Sequence, residues 1–196
     1  MSHGASLRAR AIRFFWAFVV LPLLLGLALW PRFAAAAIEP PPGGPILVVK
    51  PASPSFGDYY AEILRNEGLN AYAVADVGAL SAATLAPYDV VVLAETSLTP
   101  AQVTVLTDWV NGGGNLIAMK PDNALAPLLG LSPVGTSLSN GYLLVNTATG
   151  PGNGIVNQTM QFHGTADRYL LNGASSVATL YSSASAATAN PAVTVR

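Results

Sequence analysis

The chain has 196 residues, 52% of them hydrophobic and 10% charged, with a formal net charge of -1 and no cysteine. That is enough apolar material for one domain plus a targeting segment, and too much for a disordered protein. The charge balance leaves no basic field for nucleic acid, and the absence of cysteine excludes disulfides, thiolate metal sites and cysteine nucleophiles.

Arg8, Arg10 and Arg13 lead into the apolar run Phe14 to Trp30, and Ala34 to Ala37 follow. A basic start, an apolar middle and a small-residue site predict a secretory signal peptide over residues 1–37, cut after Ala36 or Ala37. The alternative is an uncleaved anchor over residues 14–30. That run has 17 residues, the short end of the roughly 17–25 that span a bilayer, and Pro22 and Gly26 favour the processed signal. Either way this segment is expected to contact the membrane or the export machinery, and the remainder to be secreted or extracytoplasmic. Pro40-Pro41-Pro42-Gly43-Gly44 marks a linker over 38–45, and one domain is expected over 46–196.

Ile46 to Val49 reads as a buried strand, with Lys50 to Pro54 as the loop at its carboxyl end. Ser55 with Asp58 is a capping box, and Phe56, Tyr60, Ile63 and Leu64 form the apolar face of the helix it opens. Gly68 ends that helix. Asn70 to Val74 is a second strand with Asp76 just past it, and Ser81 to Leu85 a short helix. Val90 to Leu93 is a continuous β-branched run that suits a parallel strand covered on both faces. Thr99-Pro100-Ala101-Gln102 then combines a cap, a first-turn proline and a capping box. Val103, Leu106, Trp109 and Val110 give that helix one buried stripe, Gly112-Gly113-Gly114 stop it, and Leu116 to Met119 is the next strand. After a single helical turn at Ala124 to Leu129 the character changes. Leu131 to Gly154 is loop-like, rich in Ser, Gly, Asn and Pro, with one strand at Tyr142 to Val145. Further short strands are expected at Met160 to Phe162, Val177 to Tyr181 and Ala192 to Val195.

Alternating buried strands and amphipathic helices predict an α/β fold: a doubly wound, mainly parallel sheet with helices on both faces, and β structure added in the C-terminal third. The final strand runs to Arg196, which suggests a domain cut from a longer protein with further domains downstream. The stretch Tyr88 to Asp122, YDVVVLAETSLTPAQVTVLTDWVNGGGNLIAMKPD, resembles the class I glutamine amidotransferase-like superfamily, above all its ThuA-like, non-amidotransferase branch. The resemblance covers about Ile46 to Leu131, and more weakly Phe162 to Tyr169 and Asn190 to Arg196. It implies a flavodoxin-like three-layer sandwich that leads a larger secreted bacterial protein. Amidotransferases carry a cysteine on a sharp strand-to-helix turn. Here Lys120-Pro121-Asp122 follows the strand instead, so that chemistry does not carry over and no cofactor is expected.

In open α/β sheets ligands sit at the carboxyl ends of the strands. That rim should hold Lys50, Ser53 and Ser55, then Asp76, then Glu95 and Thr96, then Lys120 and Asp122. Lys50, Ser53, Ser55, Glu95, Lys120 and Asp122 are therefore the expected ligand-binding set, suited to a carbohydrate or another polar surface ligand. Glu95, directly after a buried strand, could serve as a general base, or simply cap a loop. His163 stands near Asp167 in FHGTADRY, and the pair with Ser53 or Ser55 would imitate a hydrolase triad. Against that, no G-x-S-x-G elbow exists, and one histidine is too few for a usual zinc site. Gly112-Gly113-Gly114 lies after a helix and before a strand, the reverse of a phosphate cradle. Asn157-Gln158-Thr159 fits a glycosylation acceptor, a pattern common by chance. The leading expectation is a non-catalytic exported module, structural or ligand-binding. The rival is a hydrolase of carbohydrate, amide or ester bonds that uses Glu95, Asp167 and His163.

Overall fold

The structure is a computed structural model that describes residues 44–196, apart from Pro54 and Thr149. The expected signal or anchor segment, 1–37, lies outside the described residues. Among the described residues no helix is long and apolar enough to cross a membrane.

Four strands, β1 (Ile46–Lys50), β2 (Tyr72–Asp76), β3 (Val90–Leu93) and β4 (Asn115–Ala118), form a parallel sheet in the order β2-β1-β3-β4. Val48 stands beside Val74 and Val92, and Val92 beside Ile117, so these side chains share one face. Three helices connect the strands: α1 (Phe56–Asn66), α2 (Ala82–Leu85) and α3 (Pro100–Asn111). Their starts follow local chemistry. Ser55 and Asp58 form a capping box on α1, Ser81 accepts from the Thr84 amide on α2, and Thr99 and Gln102 form a capping box on α3 with Pro100 in the first turn. Each cap satisfies amides that a helix start leaves without partners.

The first face of the sheet is the core. Leu47, Val49, Val91 and Leu93 pack against Leu85, Leu106 and Leu125, and all seven are at most 2% exposed. Full burial of such side chains is worth about 1.5–3 kcal/mol each. The second face is covered over β1, where Val48 is fully buried, but not farther out. The first turn of α1 lies on Lys50 and Ala94, whereas Ile117 and Met119, farther out, remain 51% and 38% exposed.

After the 3₁₀ turn Asn123–Leu125 the chain leaves the parallel sheet. β5 (Leu131–Ser139) pairs antiparallel with β8 (Thr165–Leu171). β6 (Tyr142–Val145), β7 (Met160–Gln161), β9 (Ser175–Ser183) and β10 (Ala186–Val195) form a second antiparallel sheet in the order β10-β9-β6-β7. Buried Asn190 on β10 ties the two together. Its Nδ2 donates to the Tyr169 carbonyl at 2.8 Å, and its Oδ1 accepts from Arg168 Nε at 2.7 Å.

These observations correct the expected fold. A flavodoxin-like three-layer sandwich with a mainly parallel sheet is not what forms. The parallel sheet stops at four strands, six of the ten described strands are antiparallel, and the second face lacks a full helical layer. The β structure of the C-terminal part is larger than a third-layer addition: the loop expected from Leu131 contains the nine-residue strand β5. β3 is buried on one face only, with Val90 and Val92 half-buried. The apolar arc of α1 is also only partly covered. Tyr60 and Leu64 are half-buried, while Phe56 and Ile63, expected in the core, are 65% and 55% exposed.

Candidate functional site

The carboxyl ends of β3 and β4 converge on a polar groove of about 370 Å³, lined by Glu95, Thr96, Ser97, Lys120, Pro121, Asp122, Asn123 and Asp167. A second hollow of about 260 Å³ adjoins it, shares Asn123 and Asp167, and continues to Thr136, Ser137 and Arg168. Asp167 of β8 forms the far wall of the groove, and β8 together with β5 walls the second hollow. Gly135, with φ 75°, sits in the irregular stretch of β5 between Pro133 and Ser137 that opens this hollow.

Lys120 is the most constrained residue in the groove. It stands two residues past β4 with φ 47°, a left-handed conformation unusual for a residue with a side chain. Its ammonium donates to Glu95 Oε1. That hydrogen bond, with a smaller contribution from the Asp167 charge, raises the Lys120 pKa above the usual lysine value. Lys120 thus stays protonated at neutral pH and serves as a fixed cation, not as a nucleophile or base. Because its proton is held more tightly folded than unfolded, the pair supports the fold below the ordinary lysine pKa. That support is lost as pH rises through the raised value.

The positive φ allows a direct test. Lys120→Ala and Lys120→Gly both remove the ammonium, but only glycine accepts φ 47° without strain. The alanine variant is expected to be less stable by about 1 kcal/mol, read from paired urea denaturation curves. Equal midpoints would mean that the backbone at residue 120 is unstrained.

The other carboxylates have different tasks. Asp122 accepts the Leu98 amide on one oxygen at 3.0 Å and the Ala124 amide on the other at 2.8 Å. It pins the loop after β3 to the loop after β4 and caps the turn at Asn123. Asp167 projects from β8 into both hollows. Tyr169, two residues on along the same strand face, is 6% exposed and donates to the Pro121 carbonyl at 2.9 Å and to Asn123 Oδ1 at 3.1 Å. Burial, and then the charges of Asp167 and Asp122, push its phenol above the usual tyrosine value. Tyr169 fixes the antiparallel wall against the groove, and Asn190 in turn holds the Tyr169 backbone.

Of the expected ligand-binding set, Glu95, Lys120 and Asp122 come together, and Asp167 joins them. Lys50, Ser53 and Ser55 do not. Lys50 is paired with Asp58 at 3.0 Å, and this hydrogen bond holds the Asp58 carboxyl below its ordinary pKa. Ser55 is occupied in the α1 capping box, and Ser53 is an exposed loop residue. Asp76, the last residue of β2, accepts the Gly78 amide at 2.6 Å through Oδ1; Oδ2 is buried with no partner among the described residues. His163 is exposed in the turn between β7 and β8, where Asn140 brackets it by bonds to and from Gly164. It lines neither hollow, so the His163–Asp167–serine triad does not assemble. Among the described residues no group of three His, Asp or Glu side chains converges as a metal cage requires.

No protein-family model matches the chain, and no curated protein matches it. Its fold does recur in solved structures. An alpha-L-fucosidase isoenzyme 2 from Paenibacillus thiaminolyticus matches 75% of the chain with TM-score 0.56 at 12% identity. A beta-galactosidase from Rahnella sp. R3 matches 79% with TM-score 0.54 at 16% identity. A beta-galactosidase from Bacillus circulans sp. alkalophilus matches 80% with TM-score 0.55 at 11% identity. The match covers 24% of the fucosidase and 27% of each galactosidase. The chain thus spans about a quarter of these proteins and shares the fold of one part of each.

Proposed function

We propose that this chain is a non-catalytic, sugar-binding α/β module of a carbohydrate-active protein, with the groove at Glu95, Lys120, Asn123 and Asp167 as its binding site. The observation that carries this reading is the commitment of two of the groove's three carboxylates, which leaves Asp167 without a second free one. Lys120 engages Glu95, and two backbone amides occupy Asp122. General acid–base hydrolysis needs an acid in a dry pocket and a second free carboxylate; Glu95 is half exposed and ion-paired. The same charged groups, with Ser97, Thr96 and Asn123, suit the hydroxyls of a sugar. The structural neighbours, a fucosidase and two galactosidases, point to the same ligand class. The basic, then apolar N-terminal stretch supports action outside the cytoplasm, with the sugar met there.

His163 lines neither hollow, which speaks against the rival hydrolase. Calorimetric titration of the chain with D-galactose and L-fucose, beside turnover assays on their nitrophenyl glycosides, separates the two readings. The module should bind at least one sugar and turn over neither glycoside. Glu95→Gln should weaken binding about tenfold, the loss of one charge-assisted hydrogen bond. Turnover abolished by Glu95→Gln or by His163→Ala would replace this reading with the hydrolase.

A further inference from the structure

The polar groove has no aromatic residue in its lining, yet two aromatic rings stand exposed close by. Phe56 and Tyr59 occupy the first turn of α1, 65% and 58% exposed, with ring centroids 6.0 Å apart and planes tilted by 44°. Helical phase explains the exposure. Gly57, Tyr60, Ala61 and Leu64 take the arc that meets the sheet, which leaves positions 56, 59 and 63 pointing away from it.

Two contacts place this turn on the rim that carries the groove. The Gly57 backbone lies so close to the sheet that a Cβ there would meet Lys50 Cβ at 2.4 Å and Ala94 Cβ at 3.2 Å. Ala94 immediately precedes Glu95, the groove's acid. On the next position of the turn toward the sheet, burial and then the Glu95 charge raise the Tyr60 phenol above its usual pKa. The turn that carries the exposed rings and the groove therefore share one rim, one offering apolar faces and the other hydrogen-bonding groups.

A pyranose has the same division: a hydroxylated edge and an apolar C–H face. A monosaccharide cannot serve both surfaces at once, but a chain of linked sugars can. We propose that Phe56 and Tyr59 form a stacking platform for one pyranose ring of an oligosaccharide whose adjoining residue occupies the Glu95–Lys120 groove. This rests on the sugar-binding reading of the groove and adds what that reading lacks, a preference for chain length. The rings contribute offset contact with low side-chain entropy loss, since each has only two rotatable side-chain torsions.

The test titrates the full chain, by calorimetry, with D-galactose and with β-1,4-linked galactotetraose. Wild type should bind the tetrasaccharide at least tenfold more tightly than the monosaccharide. In the double variant Phe56→Ala, Tyr59→Ala that ratio should collapse toward one, and Phe56→Tyr with Tyr59→Phe should restore it. Leu69→Ala, an exposed apolar control 52% accessible beyond the end of α1, should leave the ratio intact. Far-ultraviolet circular dichroism checks that the double variant is folded. A double variant with the wild-type ratio overturns the platform and leaves the groove reading standing. Absence of binding by either sugar overturns the groove reading and the platform with it. A fall in solution mass of the double variant, with the sugar ratio unchanged, would assign the rings to a contact between protein chains instead.

Discussion

Asn190→Leu is expected to lower the unfolding free energy by about 2–4 kcal/mol, because two groups lose their partners in a buried setting at about 1–3 kcal/mol each. Asn190 is 3% exposed. One end of its amide accepts from Arg168 Nε, the other donates to the Tyr169 carbonyl, and its backbone amide donates to Thr188 Oγ1 at 3.2 Å. Leucine fills the volume but offers neither donor nor acceptor, so the loss is polar and not a cavity effect. Asn190→Asp should fall between the two: its carboxylate can still accept from Arg168 but cannot donate to the carbonyl. Urea denaturation with an unchanged slope reads the difference. The effect should also reach the groove. Tyr169 is the residue whose backbone Asn190 holds, and its hydroxyl supports Pro121 and Asn123. Weaker D-galactose binding in Asn190→Leu is therefore expected alongside lower stability. A loss below about 1 kcal/mol would mean that water reaches the Arg168 and Tyr169 groups and replaces the amide.

Much of the parallel half was legible because its signals are local. The capping boxes at Ser55–Asp58 and Thr99–Gln102, and the β-branched run at Val90, act within four residues of themselves, and all three appear where expected. The strand ends then follow, and with them Glu95, Lys120 and Asp122. What was not legible depends on distant partners. β5 is rich in Ser and Gly and reads as loop; it is a strand because Leu131 meets Leu171 and Ser139 meets Thr165. The three-layer expectation failed for a related reason. Helical spacing shows that Phe56, Tyr60, Ile63 and Leu64 share an apolar arc, but not how wide a surface the sheet offers that arc. In the sequence Asp167 stands out only as a candidate partner of His163. It reaches the groove because β8 runs alongside, while His163, four residues earlier, lies in a turn beyond the ladder. For Tyr169 and Asn190 the sequence carries no signal of the partners they bind. Their partners are 46 and 48 residues away for the Tyr169 hydroxyl and 21 for the Asn190 amide. A buried tyrosine needs a partner for its hydroxyl, but the sequence does not say which.

Gly57→Val is expected to cost about 3 kcal/mol, and the sign of the smaller change Gly57→Ala shows why. Helix propensity alone favours alanine over glycine by about 0.5–1 kcal/mol. Close approach opposes it: the added Cβ would sit 2.4 Å from Lys50 Cβ, an atom fixed to the β1 backbone and unable to swing aside. Overpacking of this kind costs about 1–3 kcal/mol, so the steric effect wins and Gly57→Ala should destabilise despite its better propensity. Valine adds two methyl groups to the same clash and a β-branched penalty in the helix. Relief requires the first turn of α1 to lift from the sheet. That motion would stretch the Lys50–Asp58 pair, 3.0 Å in the native fold, and carry Phe56 and Tyr59 away from Glu95. Thermal melts give the sign, and the galactotetraose-to-galactose ratio gives the consequence. A destabilised Gly57→Ala that also loses chain-length preference ties the ring platform to the groove through this single glycine. A stabilised Gly57→Ala would mean that α1 does not rest on Lys50 so closely. The rings would then have no fixed position relative to Glu95, and the case for one ligand spanning both surfaces would fall.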